Sequence, residues 1–423
     1  MYPVPMGFSY EAASLAPTGL DPSALARLEA EADRAAAHLP GAAFVADLAR
    51  PVALPPRAKA DRVVVLGIGG SALGTRAVHA ASPGRDILPI LVVDNIDPQP
   101  FEEAWQQGDP RRTAWVVVSK SGGTTETLAQ FGLLRRRLGE GHAGAGVHVV
   151  TGAKGPLREL AVAERLMTHE VPEAVGGRFS VFTPAATVPL ALAGHDCGAL
   201  LDGARAGAAA AARAGSAAAR LAALLVASAQ SGRNVVAFWS YAERLETVGE
   251  WFRQLWAESL GKIRPDGRRT GQTPVHCVGS TDQHSIQQLM VEGPPDKAVL
   301  VLAGPPTAQA KAPDSTPGAA AGHSLAGILD AMRRATSAAM VRAGCPLATL
   351  RLGEWNERAM GGLLMALLAA TVIGGDLLGV NPYGQPGVEA AKLATRSLLG
   401  DPKGVLSAEI GALLGEGRGI PGM

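Results

Sequence analysis

RVVVLGIGGSALG, residues 62–74, runs from a short β-branched stretch through a glycine-rich turn into the start of a helix. The stretch has no polar alternation, which is the pattern of a strand covered on both faces of a parallel sheet. The same rhythm returns at ILPILVVD (87–94), at TAWVVVS (113–119) with a helix over 125–138 behind it, and at GVHVV (146–150). A second series follows at RNVVAFWS (233–240), TPVHCVG (273–279), KAVLVLAG (297–304) and PLATLRLG (346–353). Helices are expected between these runs, one ending at Glu258 and others near 282–291, 324–342 and 355–378. Strands alternating with helices predict βαβ units. The expected fold is therefore α/β: two three-layer αβα sandwiches with mainly parallel sheets, plus N- and C-terminal helical segments.

The remaining segments divide the chain. Asp21 as N-cap, Pro22, and Leu25, Leu28, Ala32, Ala35 and Leu39 at helical spacing predict a helix over 20–39. Pro51, Pro55 and Pro56 mark a linker. The alanine-rich stretch near 203–229 reads as one long helix, 304–323 as an exposed loop and 415–423 as a flexible tail. The expected divisions are a helical arm over 1–54, sandwiches over 55–200 and 201–385, and a helical segment over 386–423.

Composition narrows the function classes. The 423 residues carry a formal net charge of +1, which leaves no electrostatic footprint for nucleic acid or a membrane surface. Hydrophobic residues at 47% indicate a globular chain with ample core. Cys197, Cys277 and Cys345 lie far apart with no CxxC, as expected of free thiols in a reducing compartment. The N-terminus MYPVPMGFSYEAA lacks the basic and apolar regions of a signal peptide. No apolar run of membrane length is read, since Arg205, Arg213 and Arg220 interrupt the alanine-rich stretch. A cytoplasmic location is expected. No HxH, HExxH or cysteine cluster occurs, so no metal site is expected.

The chemistry concentrates in a few turns. Gly67, Gly69, Gly70 and Ser71 form a strand-to-helix turn. Gly67-x-Gly69-x-x-Ala72, with Asp94 ending the next strand, loosely matches a dinucleotide fingerprint. The same turn, with Ser71 beside free backbone N–H groups, suits an anion equally. SKSGGTTET (119–127) packs five hydroxyls and two glycines into the next such turn. Capping alone does not need so many hydroxyls, and a phosphate held at a helix N-terminus does. Arg178, after Gly176-Gly177, is either part of a surface turn or a guanidinium held where negative charge develops.

WFRQLWAESLGK (251–262) places Trp251, Leu255 and Glu258 on one helical face, with Gly261 ending the helix. A carboxylate in the last turn of a helix, partly buried, meets two effects that raise its pKa toward the range of a general base. Ser280-x-x-Gln283 can form a capping box, with His284 in the first turn as a proton relay or a structural histidine. Glu389 and Lys392 sit three apart, as a surface ion pair would.

GIGGSALG, SKSGGTTET, GGRFSV, WFRQLWAESLGK, GSTDQHS and NPYGQPGVEAAK occur in this order over residues 67–392. Together they resemble the phosphoglucose isomerase family, built from two sugar-isomerase (SIS) domains, in its shorter bacterial form. The resemblance implies that Gly70, Ser71, Ser119, Ser121 and Thr124 hold a sugar phosphate. It implies Glu258 as the base that moves a proton between C2 and C1 through a cis-enediol, and Arg178 as the group stabilising the enediolate. His284 and Lys392 would assist ring opening, and Gln385 would line the pocket. His284 would reach the neighbouring subunit's site, making a homodimer the active unit, and no cofactor is implied. Gly122-Gly123, Ser121 and Pro386 depart from longer members, while the anchoring hydroxyls are kept. The alternatives are a bifunctional glucose/mannose-6-phosphate isomerase, a non-catalytic phosphosugar-binding regulator and, from the glycine fingerprint, a nucleotide-binding oxidoreductase.

Overall fold

The computed structural model describes residues 2–3, 7–82, 84, 86–139, 146–305 and 310–400. The chain divides into two compact units, Met1–Pro382 and Tyr383–Met423. The first holds both sheets. Its strands are β1 (Tyr2–Pro3), β2 (Phe8–Ala12), β3 (Arg62–Leu66), β4 (Ile90–Val93), β5 (Thr113–Ser119), β6 (Val147–Thr151), β7 (Met167–Glu170), β8 (Val235–Tyr241), β9 (Thr273–Val278), β10 (Lys297–Ala303) and β11 (Leu347–Leu352). One sheet has the order β4-β3-β5-β6-β7 and the other β1-β2-β11-β10-β8-β9. Every pair in the first sheet is parallel, as are β11-β10-β8-β9 in the second.

The unbroken apolar runs account for this. Val63, Val64, Val65 and Leu66 are fully buried, covered on one face by Leu192 and Ala193 among others and on the other by Phe131 and Leu134. In the second sheet Val236 and Phe238 face the helix Glu246–Leu260, while Ala237 and Trp239 face the helix Leu325–Arg342. Each sheet is thus the middle layer of a sandwich, as expected.

Several expectations need correction. The N-terminal arm is not only helical: Phe8–Ala12 pairs antiparallel with β11 and lies between it and the edge strand β1. Phe8 and Tyr10 are buried on alternate positions, a period of two in a segment too short to stand out. The strand Met167–Glu170 was also unforeseen, because an edge strand reading MTHE carries no apolar run. The alanine-rich stretch is two helices, Cys197–Ala211 and Ala217–Gln230. Gly215 turns the chain at φ +72, and Ser216 caps the second helix by accepting from Ala219 N–H at 3.1 Å. The helix expected near 282–291 is a 3-10 turn, Thr281–His284, followed by a short helix, Gln287–Glu292. The tail at 415–423 lies outside the described residues.

The helix Glu357–Leu378 is long and apolar enough to cross a membrane by length and composition, which the sequence reading passed over. Its apolar window is 83% buried inside the protein, so it acts as a core helix. It packs against both alanine-rich helices, where small side chains allow close approach.

Two histidine pairs lie inside the first unit. His79 Nε2 accepts from Ile90 N–H at 3.2 Å, which assigns its proton to Nδ1. Nδ1 then donates to His195 Nε2 at 2.9 Å, and His195 Nδ1 donates to Glu357 Oε1 at 2.9 Å. His148 and His169, on neighbouring strands, pair at 3.1 Å. Burial, helped by the neighbouring imidazole, pushes His79 and His148 from 6.5 to about 4. Both are neutral in the fold, whereas the unfolded chain takes up their protons below about 6.5. Their contribution is therefore complete above that pH and is lost as pH falls toward 4. The melting temperature should drop between pH 7 and pH 4.5, and His148→Gln should make that slope shallower. A Tm independent of pH over this range would contradict the assignment.

Candidate active site

Three stretches of the first unit meet around Arg178. The first is the turn Gly69–Ser71, which follows β3 and leads into the helix Leu73–Ala81. The second is the 3-10 segment Gly177–Phe182, and the third is the helix Glu246–Leu260. A Cβ on Gly70 would fall 2.3 Å from the Gly177 carbonyl carbon and 2.6 Å from Arg178 N, so only glycine lets the two backbones touch. Ser180 fastens the contact, its hydroxyl lying 3.1 Å from Gly70 O and 2.6 Å from Gly177 O.

Arg178 is delivered into the interior by this contact, with its side chain 1% exposed. Nε donates to Ser259 Oγ at 2.7 Å, Nη1 to Glu258 Oε2 at 3.3 Å, and Nη2 to the carbonyl of Pro382. Burial pushes the guanidinium pKa down, opposed by the Glu258 carboxylate. An arginine remains charged throughout. Glu258 itself is 29% exposed at the side chain. The helical face is as expected, since Trp251 and Leu255 are buried and Glu258 sits at the rim. The guanidinium beside Glu258 was not foreseen from the helix alone.

Two further groups escaped the sequence reading. Gln254 Nε2 donates to Glu258 Oε1 at 3.1 Å, and a Cβ on Gly69 would lie 2.9 Å from the same nitrogen. Gln254 therefore stands between the turn and the carboxylate. Its four-residue spacing from Glu258 was the available signal. Lys262, half-buried just beyond the helix, has its pKa lowered by burial and by Arg178, against an opposing pull from Glu258.

The hydroxyl-rich turn follows β5, the strand next to β3, so both turns lie at the same carboxyl edge of the sheet. Ser119 Oγ is 2.9 Å from Thr124 Oγ1, and Ser121 Oγ is 3.5 Å from the same atom. Thr124 is the N-cap residue of the helix Thr125–Leu138, yet its side chain caps no backbone N–H. It turns to the other hydroxyls instead, which is the opposite of what plain capping requires. Lys120, in the same turn, is half-buried, and burial lowers its pKa against the pull of Glu173. A hydroxyl cluster at a helix N-terminus with a lysine beside it suits a phosphate.

Asp94 is engaged differently from the dinucleotide pattern. Its carboxylate accepts from Arg76 Nη1 at 3.1 Å, and Arg76 also meets Glu250 at 3.3 Å. The acidic group that would hold a ribose is thus paired with an arginine.

His284 lies after β9, exposed, and among the described residues its side chain makes no hydrogen bond or ion pair. The expected capping box is absent: the Ser280 side chain caps nothing, and Gln283 Nε2 donates to Tyr241 Oη at 2.8 Å. Gln385 and Lys392 belong to the second unit. There Lys392 Nζ donates to Glu389 Oε1 at 2.8 Å on an exposed helix, Glu389–Leu398, and Gln385 precedes the turn Pro386–Val388. The structure thus gathers Gly70, Arg178 and Glu258 in one place, and Ser119, Ser121 and Thr124 in another on the neighbouring strand end. Among the described residues no group of three or more His, Cys, Asp or Glu is gathered as a metal set.

Comparison with known proteins points to one family. The phosphoglucose isomerase family model matches residues 57–296. A protein of Natronomonas pharaonis named a probable glucose-6-phosphate isomerase is 39% identical over 417 residues, covering 93% of this chain and 95% of its own length. The glucose-6-phosphate isomerase of Rubrobacter xylanophilus is 39% identical over 367 residues, covering 80% of this chain and 82% of its own. The crystal structure of a glucose-6-phosphate isomerase from Chlamydia trachomatis matches with a TM-score of 0.71 at 25% identity, over 93% of this chain and 78% of that one. By the family match and these relatives, the chain belongs to the phosphoglucose isomerase family.

Proposed function

We propose that the chain is a glucose-6-phosphate isomerase that interconverts glucose 6-phosphate and fructose 6-phosphate. The observation that carries this reading is the half-exposed Glu258 carboxylate held against the buried Arg178 guanidinium, at the edge where the glycine and hydroxyl turns emerge. Aldose–ketose isomerisation needs one base that takes and returns a proton, and Glu258 would move it between C2 and C1. The cis-enediolate so formed carries negative charge on oxygen, and a desolvated guanidinium nearby offsets it without reorganising. Gly70, Ser71, Ser119, Ser121 and Thr124 would hold the phosphate away from the reacting carbons, so that its binding energy orients the sugar.

Ring opening falls to His284 and Lys392, with Gln385 lining the pocket. The exposure of His284 supports its insertion into a neighbouring subunit, which makes a homodimer the active unit. The proposed domains are sugar-isomerase units over 55–200 and 201–385, one supplying the phosphate turns and the other the base. We place the enzyme in glycolysis and gluconeogenesis in the cytoplasm, in keeping with its three buried free cysteines.

Fructose 6-phosphate conversion, followed through a coupled glucose-6-phosphate dehydrogenase with EDTA present, tests the reading. Turnover in EDTA is expected. Glu258→Gln should lower kcat by about 10²–10⁴-fold with KM little changed. Absence of turnover despite phosphosugar binding would instead favour the regulator. Thr124→Val should raise KM strongly, and an unchanged KM would remove it from the phosphate anchor.

Mixing two inactive variants tests the shared site. In a dimer of Glu258→Gln with His284→Ala, one site regains both intact groups only if the histidine crosses the interface. Equal co-assembly should then restore about a quarter of wild-type activity. No recovery from verified mixed dimers would place His284 within its own subunit's site.

A further inference from the structure

The two sheets share one winding. From β3 the chain passes to β4 on one side and then returns to β5 on the other, and from β8 it passes to β9 and returns to β10 in the same manner. The helices Glu246–Leu260 and Leu325–Arg342 cover opposite faces of the second sheet. The carboxyl ends of β8 and β10 therefore form a topological switch point, where open α/β sheets bind ligands. In the first sheet the equivalent place holds the glycine and hydroxyl turns. In the second it holds a cleft of about 870 Å³, within the range of small-molecule sites.

This second cleft has different chemistry. Three arginines line it, Arg244, Arg333 and Arg351, against the carboxylates of Glu243 and Asp330. Arg333 is buried and donates through Nε and Nη2 to Asp330 Oδ1 at 3.0 and 2.8 Å. Arg351 Nη2 lies 3.9 Å from the same oxygen, so one carboxylate serves two guanidiniums. Among the described residues no carboxylate lies within ion-pair distance of Arg244, which is exposed. The start of the helix Leu325–Arg342 also faces the cleft and adds partial positive charge. Trp355 supplies the apolar wall. Its Nε1 donates to Pro305 O at 2.9 Å, and a Cβ on Gly304 would fall 2.3 Å from its ring, so the indole lies directly on the end of β10.

We propose that this second cleft binds a small phosphate ester carrying a flat ring, the phosphate against Arg244 and Arg351 and the ring on Trp355. No residue of the isomerisation site lines it. Calorimetric titration of the full chain with AMP and with inorganic phosphate tests the assignment. AMP should bind about tenfold more tightly than inorganic phosphate, and Trp355→Leu should remove that gain. Arg244→Gln with Arg351→Gln should weaken AMP binding by tenfold or more while isomerase turnover, which also reports folding, stays unchanged. Arg244→Gln alone, an exposed residue of the 3-10 turn Glu243–Leu245, should give a smaller loss in the same direction. Thr124→Val should leave AMP binding intact, which separates the two clefts. No AMP binding at millimolar concentration, AMP no tighter than inorganic phosphate, binding insensitive to the arginine variants, or binding abolished by Thr124→Val would each overturn the proposal.

Discussion

The ion pair between Arg178 and Glu258 is the joint on which the site depends. Arg178 belongs to a segment packed on the first sheet's glycine turn, and Glu258 to a helix packed on the second sheet. Burying a guanidinium costs several kcal/mol unless its donors are satisfied, and here Ser259, Glu258 and Pro382 supply the acceptors. Removing one partner from such a pair costs about 3–5 kcal/mol, whereas replacing both by packed apolar side chains is often neutral. Stability alone therefore does not require the pair. The proposed chemistry does, because a fixed positive charge and the carboxylate proposed as base must both be set before substrate arrives.

The same economy of position explains the glycines and hydroxyls. Gly70 has no side chain because the backbone of Gly177 and Arg178 occupies that space. Thr124 leaves the helix end uncapped because its hydroxyl is turned toward Ser119 and Ser121. Each device gives up a small local stabilisation at a functional edge. The two sheets follow one winding, yet they furnish their carboxyl ends with different side chains. One winding can thus carry the glycine and hydroxyl turns of the proposed isomerisation site in one half and a cleft of other chemistry in the second.

Much of the architecture was legible because parallel strands bury both faces. The apolar runs at 62–67, 113–119 and 297–304 stand within a residue or two of the strands found. The helix Thr125–Leu138 matches its expected bounds. What escaped was what packing decides. The strand Met167–Glu170 forms because β6 offers it an open edge, and its own side chains do not announce it. The alanine-rich stretch breaks at Gly215 and Ser216, a turn-and-cap signal outweighed in the sequence reading by a high helix propensity. Gln283 turns to Tyr241, a tertiary partner that no local capping rule anticipates. The motif residues Arg178 and Glu258 were legible as types of chemistry, but their 3.3 Å contact spans 80 positions of chain and belongs to the fold.

The central claim is that Glu258 carries the proton between C2 and C1. Isomerisation in D₂O, with the recovered glucose 6-phosphate analysed by proton NMR, tests it most directly. A base that takes a proton from the sugar can exchange it with solvent before returning it. The account predicts deuterium at C2 with the wild-type protein and none above background with Glu258→Gln, at equal phosphosugar binding. Deuterium exchange or isomerisation that persists undiminished in the variant would contradict it.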